Sequence, residues 1–177
     1  MAVATAGALA LVVVAAAAAA WLVGGRAFEA GAPTDAPAAV PATGAGPATV
    51  ELSLDALTHP QHLAVRERLQ AYFDAINARD HAAWAATVTP DRVAAQPAET
   101  WLAGVRSTQD GTIRVDRIED RPDGVLALVR FTSTQDVAGA PADLRVGRIC
   151  WRTALPMTGV ALAIGAGAPG NTLSQPC

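Results

Sequence analysis

The chain has 177 residues, a net charge of −3 and no lysine among its 13 basic residues. Its 51% apolar content is unevenly placed, because alanine fills 20 of the first 50 positions and only Arg26, Glu29 and Asp35 are charged there. These figures exclude a multidomain protein, a polytopic membrane protein and a strongly basic nucleic-acid binder; they describe a hydrophobic leader, a tether and one domain of ordinary single-core size.

Residues 2–25 carry no charge, and residues 8–23 form an unbroken apolar run. With its small flanking residues the run reaches the length of about 20 residues that a membrane-spanning helix needs, and Trp21 suits the headgroup level. A transmembrane anchor over 1–26 is therefore expected, with the membrane as partner through 8–23. A cleaved signal peptide is the competing reading, although Met1–Gly7 lacks a basic residue and Gly25-Arg26-Ala27 is a poor cleavage site. A soluble helix is a third, but the run has no polar face. Residues 27–50 hold Pro33, Pro37, Pro41 and Pro47 among Ala, Gly and Thr. Such a composition predicts a disordered, extended linker. Residues 51–177 form the expected domain.

Within it, Val65, Leu69, Tyr72, Phe73 and Ile76 repeat at helical spacing and predict a helix over about 60–78, opened by Pro60. Asp80 can cap a second, short helix over 81–88 that carries Trp84 inward. Thr89-Pro90 predicts a third helix, ended by Pro97, and 98–106 reads as a further helical turn or an irregular strand. From Gly111 the period changes to two. Residues 112–118 alternate as a half-buried strand, 120–124 form a turn, and 125–132 form a more continuous apolar strand. A loop at 137–141, a strand over 144–151, a turn at 155–159 and a last short strand over 160–164 complete the pattern. The Gly/Pro-rich tail 165–177 follows. Helices first and hairpins afterwards predict an α+β fold, with the helices on one face of a curved antiparallel sheet.

The run 69–80, LQAYFDAINARD, followed by Trp84, resembles the opening of the NTF2-like superfamily, which includes the ketosteroid isomerases. The resemblance implies a cone whose first helix closes over a curved sheet and leaves a cavity at the wide end. It extends to the tethered NTF2-like proteins of actinobacteria, which share an anchor, a Pro/Ala-rich linker and a late cysteine pair. In the ketosteroid isomerases a tyrosine at the place of Tyr72 donates to a developing enolate oxygen, which also requires a carboxylate base and a second acid. Asp91, Gln96 and Glu99 occupy the segment of the expected base without a convincing position, and the late strands hold no acid. No catalytic residue is therefore assigned.

Cys150 and Cys177 are the only cysteines. A disulfide between them would pin the tail to the sheet and require an oxidising compartment; the alternative is one core thiol and one free terminal thiol. The bridge and the anchor together imply a single-pass cell-membrane protein with its C-terminal domain outside the cytoplasm, or a secreted protein if the leader is cleaved. His59, His62 and His81 lie at helix starts without further ligands at metal spacing, so no metal and no cofactor is expected. Tyr72, Trp84, Trp101 and Trp151 are candidate cavity-lining residues, and Arg145 and Arg148 a candidate partner face. The expected function is a non-enzymatic accessory, scaffold or protein-binding module that engages an envelope protein or a second copy of itself and no nucleic acid. Binding of a small apolar ligand in the cone is the alternative, and an atypical isomerase or dehydratase the third reading.

Overall fold

The computed structural model describes residues 39–177. The expected anchor, 1–26, and the first part of the expected linker lie outside the described residues. Among the described residues no helix is long and apolar enough to cross a membrane.

The fold is α+β with a mixed sheet. Strand β1 (Glu51–Leu52) is followed by five helices: α1 (Leu54–Leu57), α2 (His62–Ala78), α3 (His81–Ala85), α4 (Pro90–Ala95) and α5 (Ala98–Val105). Strands β2 (Gln109–Arg121), β3 (Gly124–Thr134), β4 (Arg148–Thr158), β5 (Ala163–Ile164) and β6 (Thr172–Pro176) follow. The six-stranded sheet runs β1-β2-β3-β4-β5, with β6 also paired to β4. All neighbours are antiparallel except β1, which runs parallel to β2, so the sheet is not the purely antiparallel one expected.

The helices form where local chemistry favours them. The Ser53 side chain accepts from the Ala56 N–H at the start of α1, and Asp80 accepts from the Ala83 N–H at the start of α3, which satisfies amides that have no partner inside the helix. Helix α2 buries the predicted stripe Val65, Leu69, Tyr72, Phe73 and Ile76 against the sheet. It ends at Arg79, held in the left-handed region at φ 60° by side-chain bonds to the carbonyls of Asn77, Arg106 and Thr108. Trp84, Ile113, Val115, Val129, Met157 and Ile164 complete the core beneath α2.

Three segments depart from the sequence pattern. Strand β4 begins at Arg148 rather than Leu144, because Leu144 and Val146 turn back on the Pro141 and Leu144 carbonyls. It then runs through Leu155-Pro156-Met157, where a turn is expected. Pro156 is tolerated because its carbonyl accepts from the Gly165 N–H, so its missing donor faces the side where β5 covers only Met157 and Thr158. That is the edge position at which a strand proline costs no ladder bond. The turn falls instead at 159–162, leaving fully exposed Val160 outside any strand.

The second half of the expected linker is not free chain. Arg148 donates to the Pro41 and Ala42 carbonyls at 2.8 and 2.6 Å. Thr112 donates its hydroxyl to the Ala45 carbonyl and its amide to the Pro47 carbonyl, both at 2.7 Å. Gln70 accepts from the Val50 N–H and donates to the Ala48 carbonyl. Residues 41–50 thus form an arm laid on the domain through main-chain groups, a contact that side-chain composition does not announce. Gly111 admits the arm, since a Cβ there would run into the Ala45 and Gly46 carbonyls.

Candidate functional site

A cavity of about 590 Å3 opens between α2, the sheet and the C-terminal segment. Four aromatic side chains pave much of it: Tyr72 and Phe73 from α2, Phe131 from β3 and Trp151 from β4, the two phenylalanine rings meeting edge-on at 5.1 Å. Trp151, opposite Phe131 on β4, stacks on it at 6.0 Å, and Thr172 of β6 closes the rim beside Thr153, with which it shares a hydroxyl hydrogen bond of 2.8 Å. The indole N–H of Trp151 is buried and has no hydrogen-bond partner among the described residues.

The polar groups of this cavity lie on opposite elements. From α4, Arg92 donates to the Tyr72 hydroxyl at 2.8 Å, so the phenol keeps its own hydrogen to donate. The guanidinium also lies over the rings of Tyr72, 5.2 Å away, and Trp84, 5.8 Å away, a half-buried cation–π arrangement that helps fix its position. From β2, Asp110 is 4% exposed. Its backbone N–H donates to Asn77 Oδ1 at 2.7 Å and its carbonyl accepts from Asn77 Nδ2 at 3.0 Å. The last turn of α2 therefore holds the residue as a paired strand would. Burial pushes the Asp110 carboxyl up to about 6, opposed by the hydrogen bond it accepts from Ser133 on β3. A carboxyl poised there is a hydrogen-bond donor in mildly acid solution and an acceptor above it, the property of a group able to handle a proton near neutrality.

Of the residues expected to line a cavity, Tyr72 and Trp151 do so. Trp84 and Trp101 do not. Their rings meet at 5.3 Å, with His81 at 5.3 and 5.4 Å, and both are buried in the core between the short helices. Arg145 is exposed in the loop before β4, whereas Arg148 is engaged with the arm and is not a free partner-facing group. Asp91, Gln96 and Glu99 are exposed and do not reach the cavity. His59 contacts Asp120 at 3.1 Å and His81 contacts the Gln96 carbonyl at 3.1 Å. Among the described residues no three His, Cys, Asp or Glu side chains come together as a metal site. Cys150 and Cys177 form a disulfide that secures β6 alongside β4.

Asp110 is the functional candidate that sequence reasoning missed. It lies just before the alternation over 112–118, in a stretch to which the sequence pattern assigns no element. The signal available was Asn77, an amide in the last turn of α2 next to the buried Ile76 and one turn on from the buried Phe73, whose donors and acceptor need partners. Comparison with protein-family models, with curated proteins and with solved structures gave no match.

Proposed function

We propose that this chain is a membrane-tethered, extracytoplasmic NTF2-like domain that acts as a non-enzymatic binding module, its inner cavity taking a small, largely apolar molecule with one polar end. The reading of the fold as NTF2-like is supported by the run 69–80, by the long α2 closing over the sheet, and by the order of helices then hairpins. The extracytoplasmic placement is supported by the Cys150–Cys177 disulfide, a bond that persists in oxidising compartments, and by the apolar run 8–23.

The observation that carries the ligand is the composition of the cavity: a concavity of about 590 Å3 walled largely by aromatic and aliphatic side chains, with Asp110, Ser133 and the Arg92–Tyr72 pair set among the neutral polar residues Thr108, Gln135, Thr153 and Thr172. Apolar walls with a few fixed polar groups are the usual form of a small-molecule site. A carbonyl or hydroxyl on the ligand matches protonated Asp110, the Tyr72 hydroxyl and the unpaired Trp151 N–H, since an unmet buried donor favours an acceptor supplied from outside. The full-length chain in lipid nanodiscs, labelled with 5-fluorotryptophan, tests this by titration with a neutral cyclic ketone such as 2-decalone. The fluorine resonance of Trp151 should shift saturably while those of Trp84 and Trp101 stay in place. No saturable shift with ketones or alcohols of this size would sink the reading.

One observation favours a second reading, an acid–base enzyme of the isomerase or dehydratase class. Asp110 and Tyr72 line the same cavity, and a carboxyl near 6 and a phenol donor facing one space are the two groups that proton abstraction next to a carbonyl requires. Exchange of the ketone's α-hydrogens for deuterium, followed by proton NMR, separates the two: exchange lost in Asp110→Asn marks catalysis, and binding without exchange marks a receptor.

A further inference from the structure

Among the described residues that line the inner cavity, Arg92 of α4 is the single base and Asp110 of β2 the single acid. The two are not paired with each other. Asp110 is held by Ser133 and Asn77, and among the described residues no carboxylate comes within ion-pair distance of Arg92. What holds the guanidinium is neutral: the Tyr72 hydroxyl at 2.8 Å, the Gly165 carbonyl at 3.4 Å, and the rings of Tyr72 and Trp84. A guanidinium carries more N–H groups than these bonds use. Its Nε–H and one hydrogen on each terminal nitrogen have no partner among the described residues. A half-buried charge in a largely apolar wall, with no protein carboxylate to neutralise it, favours an anion supplied from outside.

We propose that the inner cavity takes a small, largely apolar monocarboxylic acid, its carboxylate seated on Arg92 and Tyr72 and its body against Phe73, Phe131 and Trp151. The proposal rests on the reading of this cavity as a small-molecule site and names the polar end of that ligand. Because the Tyr72 hydroxyl accepts from Arg92, its own hydrogen is left to donate. A charged fork and a phenol donor thus stand 2.8 Å apart, heavy atom to heavy atom, and both can meet one carboxylate. Guanidinium pairs with carboxylate through parallel N–H bonds, and such charge-assisted bonds are about twice as strong as neutral ones. A ketone or alcohol in the same place forgoes that gain. The charge balance selects a monoanion. One cation meets one negative charge, whereas a phosphate dianion would bring a second into a space whose other ionisable groups are the Asp110 carboxyl and the Tyr72 phenol. The contacts with the Tyr72 and Trp84 rings help hold the guanidinium before the acid arrives, which reduces the ordering that binding must supply.

The test compares decalin-2-carboxylate with decalin-2-carboxamide, a neutral compound of nearly the same shape, on the full-length 5-fluorotryptophan chain in zwitterionic nanodiscs. Affinities are read from the Trp151 fluorine resonance and expressed as the carboxylate-to-carboxamide ratio for each variant, so that uptake by lipid cancels between variants. Arg92→Gln should lower the ratio about tenfold, the loss of one charge-assisted pair. Tyr72→Phe, which removes the phenol donor, should lower it about threefold, and it carries the test if Arg92→Gln does not fold. Arg145→Gln, in the loop outside the cavity, should leave the ratio unchanged. Undecanoate and its amide, titrated alongside, separate the sources of the carboxylate. The same dependence on Arg92 assigns it to a lipid-derived chain as well, and a dependence confined to the decalin pair assigns it to a cyclic acid. A ratio unmoved in folded Arg92→Gln, or lowered equally by Arg145→Gln, overturns the proposal; if 2-decalone still binds, the reading of the cavity as a ligand site survives that result. No saturable shift with carboxylate, carboxamide or 2-decalone sinks both.

Discussion

Asp110 shows how one side chain can record both fold and chemistry. Its carboxyl is pushed from the ordinary 3.8 up to about 6 by burial, so between these values the folded protein holds a proton that the unfolded chain has released. Stability contributed by this group therefore falls as pH rises from about 4 to about 6, and above that window the carboxylate imposes a constant penalty of about 3 kcal/mol. Asp110→Asn keeps the shape and the backbone clamp to Asn77 while removing the charge. The variant should be more stable than wild type at pH 8, by about 1–3 kcal/mol after its altered bond to Ser133 is counted, and the two should converge near pH 4. Urea denaturation at both pH values checks this, and a variant less stable at pH 8 than at pH 4, relative to wild type, would show that the carboxylate is compensated in the folded state.

Among the elements, α2 governs the rest. Phe73 is 1% exposed and meets both Tyr72 and Phe131 edge-on, so Phe73→Ala removes core contacts and cavity wall together. It should cost about 3–5 kcal/mol, whereas Leu63→Ala, on the outer side of the same helix and 64% exposed, should stay within about 0.5 kcal/mol; thermal melts of the two separate them. This helix was legible because its stripe obeys a single period and its ends carry local signals. Asp80 and Thr89-Pro90 announced the next two helices for the same reason. The span of β4 was not legible, because whether Pro156 breaks a strand depends on which edge its missing N–H faces, and only the pairing with β3 and β5 decides that. The docked arm was hidden because its bonds use backbone carbonyls, which every sequence has. Half of the candidate site was therefore visible, Tyr72 and Trp151 by type and position. Asp110 and Arg92 became functional only through partners on other elements.

For the whole molecule, the disulfide is the closure that matters. It joins residues 27 apart in sequence and holds β6, whose residues are all exposed, against β4. Such a strand buries too little surface to stay paired by itself. Cys177→Ser should lower stability by about 2–4 kcal/mol and speed amide exchange in 172–176, while β2 and β3 keep their protection. Slow exchange in 172–176 of the variant would show that the ladder alone suffices. The placement of the indoles has an optical consequence. Trp84 and Trp101 lie ring against ring in the core, close enough for their electronic transitions to couple, so circular dichroism of that pair reports whether the domain is folded. Trp151 stands apart from them, stacked on Phe131 at the cavity wall, and its emission responds to what enters there. A ligand that changes the summed tryptophan emission while leaving the coupled dichroism of Trp84 and Trp101 unaltered would thus report occupancy of a domain that stays folded.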